Sequence, residues 1–131
     1  MTSVVDTRLL VFLEFPPNQE VRTQTRDFFE KELRGRLLAP TIVLTEFIKL
    51  AGAKMGEDAA KIKIRLLKDQ GMQTIALTEE QALAAGSLLL SHQNVPITDA
   101  IIASLVKTKV ADYVLTDDPH FKVLGVKTKW F

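Results

Sequence analysis

The chain has no cysteine among its 131 residues. That excludes thiolate metal sites, dithiol redox motifs and disulfide scaffolds. No apolar run reaches transmembrane length, because charges such as Glu14, Glu46 and Lys49 interrupt the hydrophobic stretches. The stretch from Met1 to Asp6 has no basic segment and meets a charge early, so no signal peptide is expected and a cytoplasmic location is. Net charge is also scarce: 17 Lys and Arg against 16 Asp and Glu leave +1. A nucleic-acid-binding surface would therefore have to be a local patch. Neither a G-x-x-x-x-G-K-[ST] loop nor a G-x-G-x-x-G loop occurs, so nucleotide binding of those kinds has no support. No Ser nucleophile with a His partner stands out. Repeats, low-complexity segments and linkers are missing too, and one domain over residues 1–131 is expected.

What is present is a globular composition, 47% hydrophobic and 25% charged. Ser3 to Val5 reads as a short buried strand, and residues 7–14 as a short helix ended by Pro16-Pro17. Val21, Phe28, Phe29 and Leu33 recur at helical spacing over 19–33. Residues 37–39 predict a second strand, followed by a helix from Thr41 to about Leu50 that Gly52 stops. A further amphipathic helix over 57–70 and a strand over 73–77 follow. Thr78-Glu79-Glu80-Gln81 carries the capping-box pattern for a helix to about His92. Thr98 predicts the cap of a helix that starts at Asp99 and ends near Lys109. Residues 112–116 predict a strand, 119–121 a turn and 123–127 a last strand. Strands alternating with helices indicate an α/β fold, a three-layer α/β/α sandwich with a mainly parallel sheet.

Four acids sit against this framework in unusual places. Asp6 directly follows the first strand, Glu46 falls in the first turns of the helix after Thr41, Asp99 opens a helix, and Asp118 follows the strand over 112–116. A carboxylate beside an apolar run is costly to bury without compensation. In a parallel α/β sheet, ligand sites lie beyond the carboxyl ends of the strands, and this topology brings all four acids to one edge. Two carboxylates about 4 Å apart repel by roughly 4 kcal/mol at a realistic dielectric. One or two hard dications, Mg²⁺ or Mn²⁺, relieve that repulsion and suit phosphodiester hydrolysis better than zinc chemistry does.

The strings VVDTRLLV, TEF, PITDAIIASLV and VLTDDPHF, in that order and over essentially the whole chain, resemble the PIN-domain proteins, specifically the VapC-type toxins. The resemblance implies a Mg²⁺- or Mn²⁺-dependent ribonuclease that forms homodimers and has a cognate antitoxin. It implies catalytic roles for Asp6, Glu46, Asp99 and Asp118, with Asp6 and Asp99 as the main metal ligands. Two features depart from the family pattern. Asp117 stands where a basic or polar residue is common, so either aspartate of the pair qualifies as the fourth acid. Arg8 stands where a small residue is common, and it would contact a substrate phosphate or pair with Asp117. Thr116 is the second candidate substrate contact.

Each acid also has an ordinary explanation. Asp99 complements a helix dipole; Glu46 shares a polar face with Thr41, Thr45 and Lys49; Asp117-Asp118-Pro119 is a turn. His92 and His120 are expected on the surface or in loops, with His120 close enough to Asp118 to be tested as a substrate contact. The basic sets Lys61, Arg65, Lys68 and Lys122, Lys127, Lys129 are solvated faces or RNA-backbone contacts. Trp130 and Phe131 are expected to pack against the fold or a partner. A haloacid-dehalogenase-type phosphatase would need a second acid two residues after Asp6, where Arg8 stands. The alternatives to a toxin nuclease are a non-catalytic PIN-like module that binds RNA or protein, and a housekeeping RNA-processing nuclease.

Overall fold

A computed structural model describes residues 1–131. Five strands form one all-parallel sheet in the order β3-β2-β1-β4-β5. They are β1 (Thr2–Val5), β2 (Arg36–Pro40), β3 (Gln73–Ile75), β4 (Tyr113–Leu115) and β5 (Thr128–Lys129). The helices that flank them are α1 (Thr7–Glu14), α2 (Gln19–Glu32), α3 (Thr41–Met55), α4 (Glu57–Asp69), α5 (Glu79–Ser91), α6 (Ile97–Lys107) and the single turn α7 (His120–Val123). The α/β/α class expected from the strand–helix alternation is the one observed.

The central strands read as continuous apolar runs because both of their faces are covered. Val4, Val5, Leu37, Leu38, Val114 and Leu115 are at most 1% exposed. The chain builds β1, β2 and β3 outward on one side, then crosses to place β4 on the other flank of β1. The crevice between the ends of β1 and β4 is thus the switch point of the sheet, where such folds bind ligands.

Three expected boundaries moved. The helix α3 runs through Gly52 to Met55 and stops at Gly56, whose φ of 91° suits glycine. Helix propensity at one glycine costs only about 1 kcal/mol, and Met55, packed against the core one turn beyond it, carries the helix past it. Thr98 does not cap α6; the helix starts at Ile97 with Pro96 as N-cap and no side-chain cap. The last strand lies at 128–129, because 120–123 coil into α7 and Gly125, at φ 74°, turns the chain back. The capping box at Thr78 and Gln81 is present, with both hydrogen bonds 3.2 Å long. No helix is long and apolar enough to cross a membrane.

Candidate active site

Asp6 is the N-cap residue of α1, yet its side chain makes no capping hydrogen bond. The parallel register explains where it goes instead. Val5 pairs with Leu115, so Asp6 and Thr116 leave the sheet side by side. Thr116 Oγ1 donates to Asp6 Oδ2 at 2.7 Å and accepts the Asp118 N–H at 3.0 Å. One buried hydroxyl therefore ties two of the acids to the end of β4. Thr116 is 1% exposed with both functions engaged. It was expected as a substrate contact, but it stands behind the carboxylates and does not line the cleft.

The cleft in front of them has a volume of about 440 Å³, and Asp6, Glu46, Asp99 and Asp118 all line it, with Arg8 and His120. Asp99 reaches it from the first turn of α6. Glu46 reaches it from α3, where Thr7, the residue after Asp6, donates to Glu46 Oε1. Asp117 is not among the lining residues; its Oδ1 lies 2.9 Å from Arg8 Nε. Of the two aspartates after Thr116, it is thus Asp118 that faces the cleft. The Arg8 guanidinium also sits 5.2 Å over the Phe12 ring, itself part of the cleft wall.

His120, expected in a loop and close enough to Asp118 to contact substrate, lines this cleft. Asp118 Oδ1 accepts the His120 backbone N–H at 2.9 Å, an Asx-type turn through Pro119. That turn aims the ring back at the acids. Nδ1 is 3.0 Å from Asp99 Oδ2 and 3.2 Å from Asp118 Oδ1, so against a carboxylate it carries the proton and donates. Asp99, Asp118 and His120 present potential ligand atoms all within 4.8 Å of one another. The tightest donor group therefore contains Asp99 but not Asp6, whose Oδ2 is held by Thr116. The sequence signal for His120 was its position two residues after Asp118 in a Pro-containing turn. Thr7 has no such local signal, as it meets a residue 39 positions away.

Burial raises the Asp6 pKa to about 6 against the pull of the Thr116 hydrogen bond, and Asp99 and Asp118 add repulsion. Asp99 is pushed up by burial, then pulled down by its His120 contact, with Asp118 and Glu46 opposing. No lysine lines the cleft. The chain's own cation there is Arg8, engaged with Asp117. Three or four oxygen donors, two of them held above their ordinary pKa, fit a hard dication such as Mg²⁺ or Mn²⁺, with the His120 ring orienting Asp99 and Asp118.

Among the basic candidates, Lys129 Nζ is 2.9 Å from Glu32 Oε2 and Lys61 Nζ is 2.7 Å from Glu57 Oε2. Both are engaged by acids of the chain. Trp130 and Phe131 stack on each other with centroids 4.7 Å apart and pack on Phe28.

Solved structures share this fold. The VapBC2 complex of Rickettsia felis, bound to a DNA fragment from its promoter, matches with a TM-score of 0.79 at 15% identity, over 99% of this chain and 98% of that one. VapC20 of Mycobacterium tuberculosis, described as a toxin cleaving the sarcin-ricin loop, matches with a TM-score of 0.78 at 16% identity over 95% of each chain. VapBC-1 of nontypeable Haemophilus influenzae matches with a TM-score of 0.70 at 18% identity, over 98% of this chain and 97% of that one. No curated protein sequence matches the chain. The PIN domain family model matches residues 3–127. The chain belongs to the PIN-domain family.

Proposed function

We propose that this protein is a metal-dependent endoribonuclease and the toxin of a toxin–antitoxin pair. The observation that carries the reading is the convergence of Asp6, Glu46, Asp99 and Asp118 on one cleft that no lysine neutralises. The similar structures point the same way, since one is described as a sarcin-ricin loop cleaving toxin and another as a toxin–antitoxin complex.

In this reading Asp6 and Asp99 are the principal ligands of Mg²⁺ or Mn²⁺, with Glu46 and Asp118 completing the set. The ion supplies Lewis-acid charge at a phosphodiester and acidifies water near neutral pH. Thr116 fixes the rotamer of Asp6 and the backbone of Asp118. Thr7 does the same for Glu46. Arg8 contacts a substrate phosphate: with only Nε facing Asp117, its two terminal amino groups remain for a phosphate fork. His120 holds a proton on Nδ1 between Asp99 and Asp118 and orients both.

The partners in this reading are RNA, an antitoxin and a second copy of the chain. Phe28, Phe29, Ile102 and Leu105 are buried in the protomer core, and Ile101 is half-buried. Among the apolar residues left exposed for a homodimer are Leu83, Leu90 and Ile97, at 69%, 77% and 66%.

The test is RNA cleavage in Mg²⁺ or Mn²⁺ by the wild type, Asp6→Asn and Asp99→Asn. Each substitution is expected to slow cleavage about a thousandfold, the rate equivalent of several kcal/mol. Equal activity in all three proteins overturns the assignment. A melting temperature that does not respond to millimolar dication favours the non-catalytic binding module instead.

A further inference from the structure

The acidic cleft occupies the carboxyl edge of the sheet. At the other end of α6 lies a second concavity of about 440 Å³, lined by Lys107, Lys109, Asp112, Gly125 and Lys127 around an apolar floor. An 11-residue helix is about 16 Å long at 1.5 Å per residue, so the two hollows are well separated. The three lysines come from three places: the last turn of α6, the residue beyond its C-cap, and the run into β5. All three are exposed, and none forms an ion pair with an acid. Lys107 Nζ meets only the Gly125 carbonyl, at 3.4 Å. The one acid present, Asp112, accepts the Thr2 N–H at 2.8 Å through Oδ2.

The helix dipole explains a cation at Lys107. It does not explain Lys127, which belongs to another element. Nor does it explain a lysine at position 109, where φ is 63° and Asn or Gly would be the easier residue. The two hollows are also linked by the chain itself. One segment starts with His120 in the cleft, carries the exposed Lys122 and ends at Gly125 on the rim of the concavity.

We propose that this lysine-lined concavity is a second nucleic-acid contact, which takes the phosphate backbone of single-stranded RNA extending beyond the acidic cleft. The proposal rests on the ribonuclease reading for its choice of RNA over an acidic protein. Unpaired lysines around a hollow bind phosphates by releasing counterions, without reading sequence. The contact therefore adds affinity for long substrates and leaves the reaction at the cleft unchanged.

The test uses the triple variant Lys107→Ala, Lys109→Asn, Lys127→Ala; Asn suits the left-handed backbone at 109. Binding to single-stranded RNA is measured against salt in chelated buffer. Loss of three contacts should flatten the slope of log affinity on log salt by about 2, at roughly 0.7 per phosphate. Cleavage is then compared on an RNA of about 4 nucleotides, at the low end of single-strand site sizes, and one of about 30, well beyond them. KM should rise on the long RNA alone, with kcat unchanged on both. An unchanged slope, an equal KM effect on both lengths, or a variant that loses polyglutamate but not RNA binding overturns the proposal, the last pointing to an acidic protein. Lysine-dependent binding by a wild type that cuts nothing keeps the contact and discards the nuclease. Cleavage indifferent to the three lysines does the reverse.

Discussion

Asp6 and Glu32 are buried to the same degree, each 6% exposed, and the protein treats them in opposite ways. Glu32, at the end of α2, accepts the Tyr113 hydroxyl at 2.6 Å and has the Lys129 ammonium at 2.9 Å. Its charge is compensated by a cation of the chain, as a buried structural carboxylate requires. Asp6 has one neutral hydroxyl and two carboxylate neighbours that raise its pKa. The first arrangement locks α2 to β4 and β5. The second leaves charge concentrated in an open cleft, which is a poor way to hold a fold together and a good way to hold a dication.

Removing the charge at Asp6 gives the largest stability effect. Its folded pKa, about 6, lies above the unfolded value near 3.8, so the folded state binds its proton more tightly. The favourable protonated form contributes fully below pH 4 and is lost as pH rises through 6. Two pH units correspond to roughly 3 kcal/mol. Asp6→Asn keeps an acceptor for Thr116 and removes the charge. In metal-free buffer at pH 8 it should therefore stabilise the protein against urea by up to about 3 kcal/mol, with the gain fading below pH 4. Added Mg²⁺ or Mn²⁺ should narrow the difference, because the wild type gains more from the ion. A variant less stable than wild type at pH 8 would place Asp6 with Glu32 as a structural acid.

At Glu32 the sign reverses. Glu32→Leu leaves the Tyr113 hydroxyl without its acceptor and frees Lys129, at a cost of about 2 kcal/mol. RNA cleavage by the folded fraction should not change. Tyr113 is the only tyrosine in the chain, so tyrosinate absorbance reports it alone. Burial pushes its pKa up to about 12, with help from the Glu32 hydrogen bond and charge. In the variant the titration should move down but stay above 10, because burial remains.

How far the sequence reveals each region follows from the range of the interactions. The ends of β1 and β4 were legible because short apolar runs, Val4-Val5 and Val114-Leu115, stop at Asp6 and at Thr116-Asp117-Asp118. Their parallel pairing then put Asp6 beside Thr116 without further assumption. Helix α3 runs five residues beyond the expected Leu50, because one glycine weighs less than the packing of Met55 on the core. The strand β5 is two residues long and carries no period of its own. The Glu32–Tyr113–Lys129 cluster joins positions 81 and 97 residues apart, and nothing local marks it. For that reason Lys129 was read as a free surface cation. His120 was hidden differently: its pattern is local, but only the Asp118 turn shows that the ring points back at Asp99.

Thr116 refines the contrast at the smallest scale, since it is the neutral counterpart of Lys129. If the hydroxyl served only to satisfy a buried carboxylate, its loss would register in stability alone. It also holds the Asp118 backbone, so it positions two acids that belong to one cleft. Thr116→Val removes both hydrogen bonds at constant volume and should slow RNA cleavage about 10-fold, the low end for partners that orient metal ligands. The loss should appear as weaker activation by Mg²⁺ or Mn²⁺, partly recovered at high dication concentration, and Thr116→Ser should restore it. Without its hydrogen bond to Thr116, Asp6 loses the largest influence that lowers its pKa. The acid limb of the cleavage pH profile should then shift to higher pH in the Val variant. A Val variant with lower stability but unaltered metal dependence and pH profile would reduce Thr116 to packing.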